Sequence, residues 1–241
     1  MSAYQLPKRR RIFLMRHGDV TYFDDTGRAI DPLSVPLNER GREEASAAGR
    51  EFAAEGVRFD RVIASGLPRT LETARRVLDE TGQSIEIEIW PEWEEIRGGH
   101  LKQLSTEDIE RAFLSVFDGV VPEDTQFLGG ETIGQLLDRA LPAMARLRED
   151  TRWDTVLLVL HGGVNRALLS HAITAGGRAF FGHLSQATGC INALDVGEKP
   201  ADWVIHAINH SPPAPLHTGV RNTTMELLYA QFLKFKTNLM K

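Results

Sequence analysis

Five consecutive apolar residues, Val156-Leu157-Leu158-Val159-Leu160, run without a polar break into His161-Gly162-Gly163. A strand with one wet face alternates apolar and polar residues. An unbroken run therefore predicts a strand covered on both faces, as in a parallel-rich sheet between helices. Shorter runs at Ile12–Met15, Arg61–Ala64 and Ile85–Ile89 have the same character, and Cys190–Val196 and Trp203–Asn209 read as further strands. Helical stripes lie between them: Ala45, Ala48, Gly49 and Phe52; Leu71, Ala74, Val77 and Leu78; a longer one from Ile133 to Leu147 with Pro142 inside; and Val164, Ala167, Leu168, His171 and Ala172. Thr223 and Glu226 have capping-box spacing ahead of Leu227-Leu228. Strands alternating with helices predict an α/β three-layer sandwich, with a mostly parallel central sheet and helices on both faces. The chain has 241 residues, no Gly/Ser linker and no internal repeat, so a single domain over 1–241 is expected. Loops at 19–36, 96–130 and 211–221 are expected to act as lids.

Composition removes several classes of function. Apolar residues make up 42% and charged residues 25%, with a mean hydropathy of -0.24, which are globular values. One cysteine, Cys190, excludes a disulfide framework within the chain and a Cys-rich zinc site. Asp and Glu outnumber Lys and Arg by 33 to 28, a net charge of -5 that disfavours nucleic acid as a partner. Lys8-Arg9-Arg10-Arg11 precedes an apolar run of only four residues, short of the roughly 7–15 of a secretory signal. No run approaches the ~18 residues of a membrane span. No membrane partner and a cytoplasmic location are expected, which the lone thiol suits.

Three segments share one placement, just after a strand and at the start of a helix or loop: Arg16-His17-Gly18, Ser65-Gly66-Leu67-Pro68-Arg69-Thr70 and His161-Gly162-Gly163. Ligands of α/β sheets bind at the carboxyl ends of strands. Two histidines and two arginines would thus meet at one sheet edge. Arginine suits bidentate phosphate binding, helix N-termini add N–H groups, and Gly18 and Gly162 would let a ligand approach the backbone. A neutral histidine nitrogen is a competent nucleophile towards phosphorus. The combination points to metal-free phosphoryl transfer.

The segments FLMRHGD, PLNERGREEA, SGLPRTLETA, GGETIGQLLDR and LVLHGGVNRALL, running in order from Phe13 to Leu169, resemble the histidine phosphatase superfamily, also called the phosphoglycerate-mutase-like family. The resemblance implies that His17 is the nucleophile and forms a phosphohistidine. It implies that Arg16 and Arg69 bind the phosphoryl group, and that His161 is the second pocket histidine and donates to it. It also implies a carboxyl general acid, here Glu95, which precedes Ile-x-x-Gly; Glu94 and then Asp19 are the fallbacks. The family pattern RHG-x-T-x-x-N is broken, with Val20 and Phe23 at the Thr and Asn positions, unless Thr21 and Asp24 substitute after a one-residue shift.

Other residues have plainer readings. Glu131 in GGET reads as a helix cap rather than a substrate contact. Asn165 and Arg166 fit a pocket contact and an exposed helix face equally, and His171 reads as a core histidine. His100, His183, His206, His210 and His217 show no ligand spacing, so no metal site is expected. Cys190 reads as a buried thiol; Val196 stands where a C-x5-R loop would need arginine. The expected activity is a metal-independent phosphatase of histidine acid phosphatase type, without a cofactor, acting on a small phosphate monoester and compatible with a homodimer. A cofactor-dependent phosphoglycerate mutase and a noncatalytic anion- or protein-binding scaffold are the alternatives.

Overall fold

The computed structural model describes residues 4–24, 30–99, 109–111, 113, 117–219 and 221–239. In chain order its elements are β1 (Arg10–Arg16), α1 (Glu39–Ala54), β2 (Arg61–Ala64), α2 (Pro68–Thr81), β3 (Ile87–Ile89), a 3-10 turn (Pro91–Trp93), α3 (Ile133–Glu149), β4 (Thr155–Leu160), α4 (Gly162–Ile173), β5 (Ile191–Val196), β6 (Trp203–His210) and α5 (Thr224–Leu239). The six strands form one sheet in the order β3-β2-β4-β1-β5-β6. The pairings β3-β2, β2-β4 and β4-β1 are parallel, and β5 alone runs against its neighbours β1 and β6. Strand β3 is shorter than the apolar run predicts and leaves out Ile85.

The unbroken run in β4 has a direct physical cause. Val156, Leu158 and Leu160 pack with α3 and α4 on one face, while Leu157 and Val159 pack with α1 and α2 on the other. In β1, Ile12 and Leu14 face the first core and Phe13 and Met15 the second. Both faces are dry, so neither set can be polar, and the result is the three-layer α/β sandwich. Each fully buried branched side chain contributes about 1.5–3 kcal/mol.

Local signals set the helix ends. Asn38 caps α1 by accepting from Gly41 N–H at 2.8 Å. Pro68 opens α2, and Gly82 closes it with a left-handed φ of 61°. Thr132 and Gln135 form the capping box of α3, so Glu131 is not the cap. Pro142 sits inside that helix. The expected capping box of α5 forms: Thr223 Oγ1 accepts from Glu226 N–H, and Glu226 Oε2 accepts from Thr223 N–H.

Of the stretches expected as lids, residues 25–29, 100–108, 112, 114–116 and 220 lie outside the described residues. Parts of the described remainder have packing or hydrogen-bond partners. Val121 is buried and Phe117 packs against Phe127 and Phe180. The 211–219 turn folds onto β6, where His217 Nε2 meets Asn209 O at 2.6 Å. Helix α5 lays Tyr229 and Phe232 on Phe113. Among the described residues no helix is long and apolar enough to cross a membrane.

Candidate active site

Parallel register brings the three predicted segments together. Arg16 lies level with Leu160, and Ala64 with Val159. The next residues, His17, His161 and Ser65, therefore leave three adjacent strands at the same sheet edge. His17 continues the ladder for one residue by donating its N–H to Leu160 O at 3.0 Å. Arg69 stands in the first turn of α2, and His161 is the residue before α4. The two imidazole centroids are 5.1 Å apart. All four side chains are almost sealed: Arg16 is 7% exposed, His17 2%, Arg69 2% and His161 0%.

The hydrogen bonds fix the chemistry of His17. Its Nδ1 lies 2.7 Å from Gly18 O, which can only accept, so the proton of the neutral ring is on Nδ1. Its Nε2 then carries the lone pair, and Arg69 Nε donates to it at 3.2 Å. Burial, reinforced by the Arg69 and Arg16 guanidinium groups, holds the His17 pKa well below its ordinary value. Burial and the charges of Arg69 and Arg16 do the same to His161. Both rings are neutral at pH 7, and Nε2 of His17 is a nucleophile of fixed tautomer.

Two buried polar atoms at this site have no hydrogen-bond partner among the described residues: Arg16 Nε and His161 Nδ1. An unmet buried donor costs about 1–3 kcal/mol. His161 Nε2 faces Ser65 Oγ at 2.8 Å. When Ser65 donates in that pair, the ring proton of His161 moves to Nδ1. The guanidinium groups meet neutral partners: Arg16 Nη1 donates to Gln186 O at 2.5 Å and to Thr224 Oγ1 at 3.2 Å, and Arg69 Nη1 donates to Pro32 O at 2.5 Å. This is a strongly positive pocket on an acidic chain, suited to an anion with several acceptor oxygens.

Glu95 reaches the same place from the segment after the 3-10 turn. Its Oε1 and Oε2 accept from Gly163 N–H at 3.0 and 3.1 Å, and Oε1 also accepts from Ile96 N–H at 2.9 Å. The second glycine of His161-Gly162-Gly163 makes room for it, because a Cβ on Gly163 would lie 2.6 Å from Glu95 Oε1. Glu94 turns instead to Arg97. The Asp19 carboxylate accepts from Asn38 Nδ2 at 2.9 Å.

Gly18 is also required by packing: a Cβ there would lie 2.2 Å from Gly41 O of α1. Gly162 is wedged beside arginines, its added Cβ meeting Arg166 Nη1 at 3.2 Å and Arg16 Nε at 3.5 Å. Thr21 is exposed and accepts from Asn38 Nδ2, so it does not replace the missing pocket residue. Arg166 and Asn165 do not form an exposed face. Both are buried, and Arg166 donates to Gly162 O and Gly182 O over the Phe117 ring. Burial, with Arg16 nearby, lowers its pKa to about 10. His171 is half-buried, edge-on to Trp203, rather than a core histidine.

Sequence reasoning missed Tyr22, Thr224 and Gln186. Burial raises the pKa of the Tyr22 phenol, against the opposing charges of Arg69 and Arg16. Thr224 comes from α5, 208 positions from Arg16. No local pattern could have signalled such a contact.

The family model described as histidine phosphatase superfamily (branch 1) matches residues 12–211. The chain belongs to the histidine phosphatase superfamily. Among its relatives in that superfamily is the adenosylcobalamin/alpha-ribazole phosphatase of Escherichia coli (strain K12), 30% identical over 78% of this chain and 91% of that protein. A metal-independent phosphoserine phosphatase of Arabidopsis thaliana is 30% identical over 68% of this chain and 71% of its own length. The solved alpha-ribazole phosphatase of Shigella flexneri superimposes with a TM-score of 0.63 at 26% identity, covering 88% of this chain and 100% of that one. As a member of the histidine phosphatase superfamily with such relatives, the chain is a phosphoric monoester hydrolase.

Proposed function

We propose that the protein is a metal-independent, cytoplasmic phosphatase of the histidine acid phosphatase type. It hydrolyses a small phosphate monoester of an organic alcohol through a phosphohistidine on His17. The observation that carries this is the fixed, neutral tautomer of His17, with its Nε2 lone pair facing the guanidinium of Arg69.

In the first step the Nε2 lone pair of His17 forms a bond to phosphorus while the ester P–O bond breaks. The electron pair leaves with the ester oxygen, which takes a proton from Glu95. Arg16, Arg69 and the Nδ1–H of His161 hold the equatorial oxygens, where charge is spread in the transition state. In the second step water attacks phosphorus and gives its proton to the Glu95 carboxylate. The N–P bond breaks, the lone pair returns to Nε2, and inorganic phosphate leaves. The relatives fit this class, being phosphatases of alpha-ribazole phosphate and phosphoserine type.

The test is a panel of phosphate monoesters assayed for release of inorganic phosphate with and without EDTA. Wild-type turnover that EDTA leaves intact and His17→Ala abolishes supports the proposal. Turnover that survives His17→Ala, or isomerisation of 3-phosphoglycerate without phosphate release, overturns it.

A further inference from the structure

Arg139 of α3 divides its N–H groups between the segment that carries Glu95 and the carboxylate of Glu131. Its Nη1 donates to Glu92 O at 2.8 Å and to Glu94 O at 2.7 Å. Its Nη2 donates to Glu95 O at 3.1 Å and to Glu131 Oε2 at 2.9 Å, and its Nε to Glu131 Oε1 at 2.7 Å. Five donors meet five acceptors, which is the full capacity of a guanidinium group. The Arg139 and Glu131 side chains are 16% and 9% exposed, so the pair is shielded from water. Glu131 grips the far end of the same segment: its Oε2 accepts from Arg97 N–H at 2.9 Å, and its own N–H donates to Arg97 O at 2.8 Å. Burial alone would raise the Glu131 pKa, but the hydrogen bonds from Arg139 and from Arg97 N–H outweigh it and hold the group ionised.

Hydrogen bonds from a charged donor each stabilise the loop by about 1.5–3 kcal/mol, and here they also fix its direction. Turning the carbonyls of Glu92, Glu94 and Glu95 to Arg139 fixes the backbone on both sides of the Glu95 Cα. The side chain then projects onto the Gly163 N–H at the start of α4. Helix α3 thereby registers the acid against the start of α4, next to His161.

We propose that Arg139, with Glu131 as its counter-ion, is the positioning residue for the general acid. It sets the distance between the Glu95 carboxyl and the leaving oxygen and touches no substrate itself. The inference rests on the reading of Glu95 as the acid. Lysine cannot replace Arg139, because an ammonium group has three donors on one nitrogen and no fork to span three carbonyls and a carboxylate.

The test is leaving-group dependence, measured with 2,4-dinitrophenyl, 4-nitrophenyl and phenyl phosphate, whose phenols are increasingly basic. A general acid matters most for the most basic leaving group. Glu95→Gln is expected to lower kcat/KM for phenyl phosphate by about 10²–10³-fold, and that for the dinitrophenyl ester by less than about threefold. Arg139→Lys is expected to follow the same ester-selective pattern, with a loss of about 10–10²-fold on phenyl phosphate, since a displacement near 1 Å has that effect. Glu131→Gln keeps the shape and weakens the clamp, and should lose several-fold on phenyl phosphate alone. It carries the test if Arg139→Lys does not fold. If Glu95→Gln is not ester-selective, the general-acid reading falls and the positioning role falls with it. If Glu95→Gln is selective while the clamp variants are unaffected, or lose all three esters equally, the positioning role alone is overturned.

Discussion

Acid should loosen this fold through its two pocket histidines. Burial, and then the neighbouring guanidinium charges, hold the pKa of His17 and His161 below the ordinary value. In the unfolded chain both titrate near ~6.5. Below that pH the unfolded chain binds two protons that the folded chain refuses, so stability falls as pH falls; well above it this contribution disappears. Between pH 7.5 and 5.5 each ring removes about 1.4 kcal/mol if it stays neutral in the fold, or about 2.7 kcal/mol for the pair. The perturbation is the double variant His17→Gln, His161→Gln, which deletes both sites. The assay is urea unfolding of the two proteins at each pH. Other titrating groups are common to both and cancel. Wild type should lose about 2.7 kcal/mol more than the variant over that interval. Equal losses would mean that the rings charge within the fold, and would refute the neutral His17 on which the nucleophile depends.

Three further outcomes follow from single contacts. Gly163→Ala improves helix propensity by up to about 1 kcal/mol, yet its Cβ would lie 2.6 Å from Glu95 Oε1. Thermal unfolding should show a melting temperature that holds or rises, while steady-state assays show kcat/KM for phenyl phosphate falling by about 10²-fold. Ser65→Ala removes the hydroxyl facing His161 Nε2 at 2.8 Å. It should cost about 1–3 kcal/mol of stability by urea unfolding and lower kcat; an unchanged kcat would release His161 from the proposed tautomer. Cys190 is buried, which pushes its thiol pKa up to about 12. Iodoacetamide should therefore leave native activity intact and modify the chain only on unfolding, as read by mass spectrometry.

The fold was legible because its cause is local and repeated. A run such as Val156–Leu160 suits a strand covered on both faces, and the capping-box spacing of Thr223 and Glu226 marks the start of α5. The centre of the site was legible for a related reason. Strand ends of a parallel sheet converge, so His17, Arg69 and His161 could be placed together before any contact was known. What was hidden depends on distance along the chain. Thr224 and Gln186 reach Arg16 over 208 and 170 positions, and Arg139 reaches Glu95 over 44. Patterning correctly put Arg166 on α4 but could not say that the 117–127 and 180–184 segments cover it. Gly18 was ambiguous for a different reason, since ligand access and helix packing demand the same residue.

The proposed hydrolysis depends on covalent chemistry at one nitrogen, His17 Nε2. Rapid acid-free quench of the enzyme with a radiolabelled phosphate monoester that it turns over, followed by peptide mapping, reads that directly. The expected result is a base-stable, acid-labile label on the peptide containing His17, absent from His17→Ala and undiminished by EDTA. A label on another residue, or phosphate release by His17→Ala at the wild-type rate, would contradict it.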